Sequence, residues 1–415
     1  MSTTTWTPIG NAYVYSAHDG DPVPVGQLQM QGRGFAFQYA NSWLARPEVF
    51  AVDPLNLKLS DKIQTATRMW GVFQDATPDN WGKRVLLATR SQQPQNEIEW
   101  LLASRGAGAG CLMFSAARSR PPVLNSPPSY DQLTLLLEAA DQVDMGKQKL
   151  PSELAKLIGY GSSMGGARPK VTVVRDGVEW IAKLSRRDDV FNQPRAEFAT
   201  LQMARAAGID TVDHELVEIA GKAVLMVKRF DRTDGARKHY LSALSLINEA
   251  RVKVGDPDGP FSYLRIADVI RRTGKDARSD AKQLFERMAL NVLAGNSDDH
   301  LRNHGFIKVS QTTYKLSPVF DVLPHPGEVS LQALVVGREG RSASITNLLS
   351  SCERFGIGHD EAVGMIRDIQ DVLNESPQFY ANAGMEIPET RALSAVCTRL
   401  RTDIPSLTIN RGPRQ

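Results

Sequence analysis

The 415-residue sequence has few cysteines, little net charge and no long apolar run. Its three cysteines, Cys111, Cys352 and Cys397, are widely spaced, so they form neither a disulfide framework nor a C-x-x-C metal pair. The net charge of +3 is too small to demand a nucleic-acid partner. No run of about 18 apolar residues predicts a membrane span. The start, MSTTTWTPIG, lacks the basic and apolar regions of a signal peptide, so we expect a cytoplasmic protein with no membrane partner.

The composition is that of an ordinary globular protein, and the length allows two or three domains. Residues 1–117 are predicted to form a strand-rich module, and residues 118–129, with four prolines in RSRPPVLNSPPS, a linker. Strand and helix signals alternate over residues 130–235, and residues 236–415 are mainly helical. The predicted fold class is therefore α+β, with a β-rich lobe followed by a helical lobe.

Individual elements are predicted from hydrophobic periodicity and turn residues. In the first module, strands are expected at 12–16 and 35–39, separated by Gly- and Pro-containing turns, and helices at 79–89 and 97–104. The elements predicted beyond the linker are helix 130–142, strands 170–174, 179–184, 215–219 and 223–228, helix 195–207, and a hairpin of 305–309 with 313–316.

One segment, N-S-D-D-H-L-R-N at residues 296–303, has the spacing of a phosphotransfer loop. Asp298 lies five residues before Asn303, and Asp321 follows eighteen residues after that Asn. Kinase-type chemistry uses one Asp to orient the attacking hydroxyl, and an Asn with a second Asp to hold magnesium against the nucleotide phosphates. Alone the pattern is weak, because Asp and Asn are also ordinary turn residues. The spacing selects Asp298 and leaves Asp299 without an assigned role.

Two glycine-rich segments have different interpretations. Residues 161–170, G-S-S-M-G-G-A-R-P-K, directly precede a predicted strand, and glycines let backbone amides approach phosphates closely. A flexible surface turn is the alternative for this segment. Residues 106–110, G-A-G-A-G, do not form G-x-G-x-x-G and are predicted to be a tight turn or a close packing contact.

A lysine in an apolar strand supplies a further feature. Lys183 lies in W-I-A-K-L, and Glu197 follows fourteen residues later in a predicted amphipathic helix. A strand lysine paired with a helix glutamate is the arrangement that positions the lysine for ATP, although a solvated edge lysine is the alternative. Residues 226–230 would be the hinge, where backbone groups could bond the adenine edge. The order of these parts along the chain indicates kinase-like phosphotransfer.

Several segments resemble the motifs of one family. Residues 165–170 resemble its G-A-Q-x-K loop with Arg168 in place of Gln, and residues 229–232 match its R-F-D-R segment. Residues 296–303 match N-x-D-x-H-x-K-N with Arg302 in place of Lys, and residues 317–321 resemble L-x-P-x-Y-D with Phe for Tyr. With F-A-F-Q-Y and P-D-N-W in the first module, nearly the whole chain resembles the HipA family of serine/threonine kinases, the toxins of bacterial toxin–antitoxin pairs.

The resemblance implies a bilobed, protein-kinase-like fold with a HipA-type N-terminal module, and ATP and Mg²⁺ as cofactors. It implies that Asp298 is the catalytic base or hydroxyl-orienting carboxylate, and that Asn303 and Asp321 coordinate magnesium. Lys183 would contact the α- and β-phosphates, with Glu197 as the supporting ion pair. The other residues implied to bind ATP are Gly165, Gly166, Ala167, Lys170, Lys228, Arg229, Phe230 and His300.

Two of these assignments have an alternative. Lys170 closes the Gly-rich loop, but it fits a solvated lysine at a strand start equally well. His300 and His304 have the i, i+4 spacing of zinc ligands, yet the segment lacks the Glu of H-E-x-x-H, so a zinc site is disfavoured.

The resemblance also implies regulation of the Gly-rich loop by autophosphorylation. Family members modify a serine there, and Ser163, or the adjacent Ser162, occupies the matching position. A phosphate would add about −1.5 to −2 charges where the ATP phosphates must lie. A serine selected for loop flexibility is the alternative.

The implied partners are a helix-turn-helix, HipB-like antitoxin and a protein substrate, which in some family members is an aminoacyl-tRNA synthetase. Any contact with DNA would then be indirect, through the antitoxin. No motif identifies the target of this chain. A small-molecule kinase on the same scaffold is one alternative function. A non-catalytic antitoxin-binding module is another, but the intact Lys183, Asp298, Asn303 and Asp321 argue against it.

Overall fold

The computed structural model describes residues 8–400 except 19, 91, 105, 124–125, 148, 160–165, 167, 234, 250–251, 254 and 328. Two compact units divide the chain, and each is assembled from several segments. The first unit comprises Met1–Val190, Val212–Asn248 and Gly305–Ser317. The second unit comprises Phe191–Thr211, Glu249–His304 and Pro318–Gln415.

The first unit begins with a five-stranded sheet. Its strands are β1 (Asn11–Ser16), β2 (Val23–Gln31), β3 (Gly34–Tyr39), β4 (Gln64–Ala66) and β5 (Leu112–Ser115). They pair antiparallel in the order β4-β3-β2-β1-β5. The helices between β3 and β5 are α1 (Asn41–Leu44), α2 (Gly71–Asp75), α3 (Asn80–Thr89) and α4 (Glu97–Ala103). The strands and helices predicted for this module are therefore present.

Strand β2 was not expected, because Pro24 and Gly26 are typical turn residues. Pro24 lies at a shift in register, where Val14 pairs with Gly26 but Tyr15 pairs with Pro24. A proline that lacks an N–H is tolerated at such a bulge. A Cβ at Gly26 would lie 2.6 Å from the Phe37 ring, so glycine is needed for close packing between the strands. Both residues therefore serve the strand itself, which explains why a turn was predicted at these positions.

A four-stranded sheet forms the second part of this unit. The preceding helices are α5 (Leu133–Asp144), after a 3-10 turn at Tyr130–Gln132, and α6 (Ser152–Gly159). The strands β6 (Lys170–Arg175), β7 (Val178–Leu184), β8 (His214–Ile219) and β9 (Lys222–Lys228) pair in the order β6-β7-β9-β8. Apolar residues of α3, α5 and α6 pack on one face of this sheet. The four predicted strands are confirmed.

The remaining strands of the first unit are short. They are β10 (Arg232–Thr233), β11 (Ala236–Arg237), β12 (Tyr240–Ser242), β13 (Gly305–Lys308) and β14 (Tyr314–Leu316), with helix α8 (Ala243–Ile247) after β12. The predicted hairpin is present as β13 and β14, and β12 extends it to three strands. A segment far along the chain thereby joins the first unit.

The second unit is helical in the residues that the structure describes. Its helices are α7 (Gln193–Ala206), α9 (Tyr263–Thr273), α10 (Ala277–Ala294), α11 (Ile345–Leu349), α12 (His359–Asn374), α13 (Ser376–Asn382) and α14 (Ile387–Thr398). Helix α10 is central, since α9, α12 and α14 all pack against it. None of the described helices has the length and apolar character needed to cross a membrane.

Candidate functional site

In the first unit, two predicted ATP-binding lysines lie directly opposite each other. Lys170 on β6 and Lys183 on β7 are register partners, so their side chains project from the same face of the sheet. The opposite face carries the apolar core, including Val171 and Ala182. Like charges directly opposite are unfavourable by themselves, and an anion offsets that cost. Lys170 is buried, and its Nζ lies 3.9 Å from Oδ2 of Asp79, a carboxylate that offsets part of the charge of the two lysines. Phosphate binding at Lys170 and Lys183 stays a prediction.

The described end of the Gly-rich loop lies beside Lys170. Gly166 has φ of +122°, a backbone conformation that residues with a side chain rarely adopt, and a Cβ there would meet the flexible end of that lysine. The loop continues to Arg168, whose Nη1 lies 2.6 Å from Oδ1 of Asp189. The substitution of Arg for the family's Gln therefore supplies an ion pair. The remaining loop predictions, Gly165, Ala167, Ser163 and Ser162, lie outside the described residues.

The R-F-D-R segment after β9 forms a buried ionic network. Arg229 donates from Nε and Nη2 to the carboxylate of Asp231 at 3.0 and 2.8 Å, and its Nη1 lies 3.1 Å from Glu179. Nη1 of Arg232 also lies 2.8 Å from Asp231. Burial opposes ionisation of Asp231, but the two guanidinium groups outweigh it and hold the pKa of this carboxyl well below its usual range.

This network holds the second glycine-rich segment of the N-terminal module. Arg229 donates to the Gly108 carbonyl at 3.1 Å, and the Gly110 N–H donates to Asp231 at 2.8 Å. A Cβ at Gly108 would lie 2.7 Å from the Ala76 carbonyl oxygen. The expectation of close packing at 106–110 is thus confirmed. The Arg229 side chain is occupied by these partners, so any nucleotide contact predicted for Arg229 falls to its backbone.

The neighbouring residues of the predicted hinge are more accessible. Lys228 is partly exposed, with Nζ 3.4 Å from Oδ2 of Asp213. Phe230 is also partly exposed, and its ring centroid lies 6.2 Å from that of Tyr240. Their predicted contacts with ATP stay predictions.

In the second unit, the predicted catalytic loop begins at the C-terminus of α10. Gly295 ends the helix in the left-handed conformation at φ of +74°, and a Cβ there would collide with Val396. The loop then places its two adjacent carboxylates differently: Asp298 is exposed, whereas Asp299 is only 3% exposed. The carboxylate that the spacing selected, Asp298, is therefore the exposed one of the two, and its catalytic role stays a prediction.

Asp299 is the centre of a buried hydrogen-bond network that the sequence did not predict. Its Oδ2 accepts hydrogen bonds from the Tyr263 hydroxyl and, at 2.7 Å, from Nε2 of His304. The Tyr263 hydroxyl in turn accepts from Asn291 Nδ2 at 3.2 Å. Burial alone would raise the pKa of Asp299, but the charge and hydrogen bond of His304, together with the Tyr263 hydroxyl, hold it below its usual value.

The predicted magnesium ligand Asn303 ends a 3-10 turn, Leu301–Asn303. Its N–H donates to the His300 carbonyl at 2.8 Å, and its side chain is 6% exposed. His300 is exposed, whereas His304 is 2% exposed and bonded to Asp299. The two histidines therefore have separate environments.

Asp321, the second predicted magnesium ligand, has an unusual backbone conformation. Its φ of +61° is left-handed, which is strained for a residue with a side chain. The other described non-glycine residues with positive φ, Asp176, Ala220 and Asn248, lie in hairpin turns or at a helix end. Strained residues of this kind often occur at ligand sites.

Backbone hydrogen bonds connect the Asp321 segment with the Asp298 loop. The Val319 N–H donates to the Asp210 carbonyl at 2.7 Å, which fixes the backbone two residues before Asp321. Further on, the N–H of His325 donates to Gly295 and that of Ala333 donates to Ser297, both at 3.0 Å. In the second unit, hydrogen bonds thus connect the loop that carries Asp298 and Asn303 with the segment that carries Asp321.

The donor types of Asn303 and Asp321 fit magnesium, which takes carboxylate and carboxamide oxygens in phosphotransfer sites. No group of three or more His, Cys, Asp or Glu side chains forms a metal site within the described part of the chain. Magnesium sites of this class use one or two carboxylates and complete their coordination with waters and phosphates. Glu197 on α7 is 6% exposed and belongs to the second unit, and its pairing with Lys183 stays a prediction.

Sequence models of two domains match the chain. The HipA N-terminal domain matches residues 20–115, and the HipA-like C-terminal domain matches residues 162–376, more than half of the chain. The chain belongs to the HipA family. The resemblance read from the HipA motifs is thereby confirmed.

Relatives and a solved structure agree with this membership. A Sinorhizobium fredii protein described as a candidate kinase, Y4mE, is 24% identical over 347 residues, covering 78% of this chain and 80% of that protein. A Haemophilus influenzae protein of the same description is 27% identical over 267 residues, covering 55% and 77%. HipA of Shewanella oneidensis, solved with HipB and operator DNA, is 17% identical with a TM-score of 0.68, covering 94% of this chain and 97% of that one. The predicted α+β, kinase-like HipA fold is confirmed, and the relatives support a HipA-type kinase.

Proposed function

We propose that this HipA-type kinase is an ATP- and Mg²⁺-dependent protein serine/threonine kinase. The observation that carries the proposal is the contrast between adjacent carboxylates in the 296–303 loop. Asp298 is exposed and available to a hydroxyl group, while Asp299 is buried and engaged by Tyr263 and His304. Such a division is expected where one carboxylate acts on the substrate and its neighbour supports the loop.

The lysine pair supports nucleotide binding. Lys170 and Lys183 present two ammonium groups on one face of the sheet, and phosphate oxygens are the complementary charge. Gly166 leaves room for close approach of backbone to the Lys170 ammonium. We therefore assign the phosphates of ATP to these two lysines, with the backbone of residues 228–230 serving the adenine edge.

The chemical roles of the second unit follow from residue type and exposure. Asp298 would accept a hydrogen bond from the substrate hydroxyl and take its proton as the oxygen–phosphorus bond forms and ADP leaves. Asn303 and Asp321 would hold the magnesium ion. When bound, Mg²⁺ would supply positive charge that offsets the negative charge developing on the phosphates during transfer. The strained backbone at Asp321 favours a ligand role, because strain persists where function requires a fixed side chain.

We further propose that the protein acts as the toxin of a toxin–antitoxin pair. The supporting observation is the similarity of fold over 94% of the chain to the Shewanella oneidensis protein, which was solved with HipB and operator DNA. The partner would be a HipB-like helix-turn-helix protein, and DNA would be reached through it. A protein target, of which an aminoacyl-tRNA synthetase is one candidate, would carry the transferred phosphate.

Self-modification of the Gly-rich loop on Ser163 or Ser162 belongs to the same proposal. The added charge would oppose the ATP phosphates at the neighbouring lysines. Loop phosphopeptides should be found by mass spectrometry in protein expressed with an active site, and they should be absent from Asp298→Asn. Persistence of the phosphate in that variant would exclude self-modification as its source.

One experiment tests the activity. Wild type, Asp298→Asn and the control Asp360→Asn, another exposed aspartate of the second unit, are induced in cells and incubated with radiolabelled ATP in a lysate. We expect toxicity and a labelled protein band from wild type and the control, and neither from Asp298→Asn. Label only in small molecules would indicate a small-molecule kinase. Equal toxicity of all three proteins would indicate a non-catalytic module.

A further inference from the structure

We propose that Asp299 is a positioning residue, and that its hydrogen bond with His304 fixes the interval between the catalytic Asp298 and the magnesium ligand Asn303. The inference rests on the proposed function. It assigns a role to a residue pair that the motif spacing left unexplained.

The geometry of the pair carries the proposal. Asp299 directly follows Asp298, and His304 directly follows Asn303. The bond of 2.7 Å between Oδ2 of Asp299 and Nε2 of His304 therefore closes the loop one residue beyond each functional side chain. Within the loop, the described backbone hydrogen bond from Asn303 to the His300 carbonyl tightens one turn only. The side-chain bond spans the whole interval.

The pair is attached to two helices of the second unit. Tyr263 at the start of α9 donates its hydroxyl to Asp299, and it accepts from Asn291 on α10 at 3.2 Å. The Asn291 side-chain oxygen accepts from Nδ2 of Asn296, at the start of the loop, at 2.9 Å. Four hydrogen bonds thus run in series from Asn296 to His304, whose Nδ1 has no hydrogen-bond partner among the described residues. Consecutive hydrogen bonds strengthen one another in a buried setting, which favours one geometry.

Because Asp299 and His304 are buried, they take no direct part in the phosphotransfer reaction. Asp299 is 3% exposed and His304 is 2% exposed, so neither side chain is accessible to a substrate hydroxyl. Their effect must act through the neighbouring backbone. A displacement of about 1 Å in a catalytic group lowers a rate by about a hundredfold, which makes such support consequential.

Three variants and a control test the proposal in the full-length protein. Tyr263→Phe removes one hydrogen bond to Asp299 without changing shape, and His304→Leu removes the bond that closes the loop. His304→Gln keeps an N–H donor. Tyr380→Phe is the matched control, because Tyr380 is a buried tyrosine of the same unit whose hydroxyl contacts Cys397 at 3.6 Å.

Two measurements are made on each protein. The first is the rate of label transfer from ATP to lysate protein at varied ATP concentration, and the second is hydrogen exchange at the Asn303 amide without nucleotide. We expect apparent kcat to fall about tenfold in Tyr263→Phe and about a hundredfold in His304→Leu, with KM for ATP within about twofold of wild type. Exchange at Asn303 should accelerate in both. His304→Gln should recover most of the rate, and Tyr380→Phe should resemble wild type.

The proposal is overturned if folded Tyr263→Phe or His304→Leu retains the wild-type kcat and Asn303 exchange. It is also overturned if His304→Gln is as impaired as His304→Leu, or if Tyr380→Phe loses activity equally. Should His304→Leu fail to fold, the comparison of Tyr263→Phe with Tyr380→Phe still decides. Absence of transfer by wild type would instead refute the proposed function. The exchange rates would then test only whether the Asp299–His304 hydrogen bond fixes the loop at Asn303.

Discussion

His239 should make the stability of the protein fall as the pH is lowered. The side chain is fully buried, and its Nε2–H donates to the Val52 carbonyl at 2.8 Å. Its Nδ1 then faces the Cys111 thiol at 3.6 Å as an acceptor. A second proton on the ring would point at the thiol in an apolar setting. Burial therefore lowers the pKa of His239 from 6.5 to about 3.

The sign of the effect follows from this depressed pKa. The unfolded chain binds a proton at His239 below about pH 6.5, whereas the folded chain keeps the ring neutral down to about pH 3. The stabilising contribution is complete above pH 6.5 and is lost as the pH falls towards 3. At about 1.4 kcal/mol per pH unit, the loss between pH 7 and pH 5 is about 2 kcal/mol.

Urea unfolding followed by tryptophan fluorescence at pH 7, 6 and 5 measures this loss. His239→Gln keeps a donor for Val52 but cannot titrate. Between pH 7 and pH 5, the free energy of unfolding of wild type should therefore fall by about 2 kcal/mol more than that of His239→Gln. His359→Gln, at an exposed histidine, should follow wild type. A fall of equal size in wild type and His239→Gln would refute the reasoning.

A buried carboxyl, that of Asp53, directly follows Val52 in the chain and acts in the opposite direction. Burial raises the pKa of Asp53 to about 6, so its stabilising contribution is present below about pH 4 and is lost as the pH rises through about 6. Because wild type and His239→Gln both contain Asp53, the difference between them cancels its contribution. The comparison of the two proteins, rather than either curve alone, isolates the histidine.

Three further predictions concern the network, the lysines and the strained aspartate. Arg229→Leu should lower the free energy of unfolding by about 3–5 kcal/mol in urea, since it leaves Asp231 in a buried network without its main partner; an unchanged midpoint would contradict this. Lys183→Met should weaken ATP binding at least tenfold by calorimetry, whereas Lys222→Met, at an exposed lysine of the same sheet, should not. Asp321→Val should lower stability by about 1–2 kcal/mol, while Asp321→Asn should stay within about 0.5 kcal/mol, because asparagine tolerates a left-handed backbone and a β-branched residue does not.

Local patterns were sufficient to locate the four-stranded sheet and several other elements of this chain, but not the individual helices α9 to α14. Strand periodicity located β6, β7 and β9, and a helical pattern located α3, which the structure shows to be capped by Asp79. One of the elements that were not predicted is β2, where Pro24 and Gly26 produce a turn-like composition inside a strand. A bulge and a close contact between strands account for both residues, and neither depends on local sequence. Local composition cannot reveal a requirement imposed by the neighbouring strand.

The R-F-D-R motif illustrates a second limit. The resemblance to a family motif implies that Arg229 contacts the nucleotide, which stays a prediction for its backbone. The guanidinium instead bonds Asp231, Glu179 and the Gly108 carbonyl. Gly108 lies 121 residues before Arg229, so no spacing rule connects the two. A motif can therefore retain its residues for a buried network that fixes the chain after a strand. Only the partners of each side chain distinguish this cause from ligand binding.

A long-range contact also gives a physical reason for the D-x-x-x-x-N spacing. Spacing distinguished Asp298 from Asp299, but it gave no reason for the second carboxylate. The reason is the buried network: Tyr263, which lies 36 residues before Asp299, donates a hydrogen bond to its carboxylate. The five-residue interval between Asp298 and Asn303 is the same as that between Asp299 and His304, so one hydrogen bond can set both. The interval in the motif is then a requirement of the buried pair as much as of the exposed chemistry.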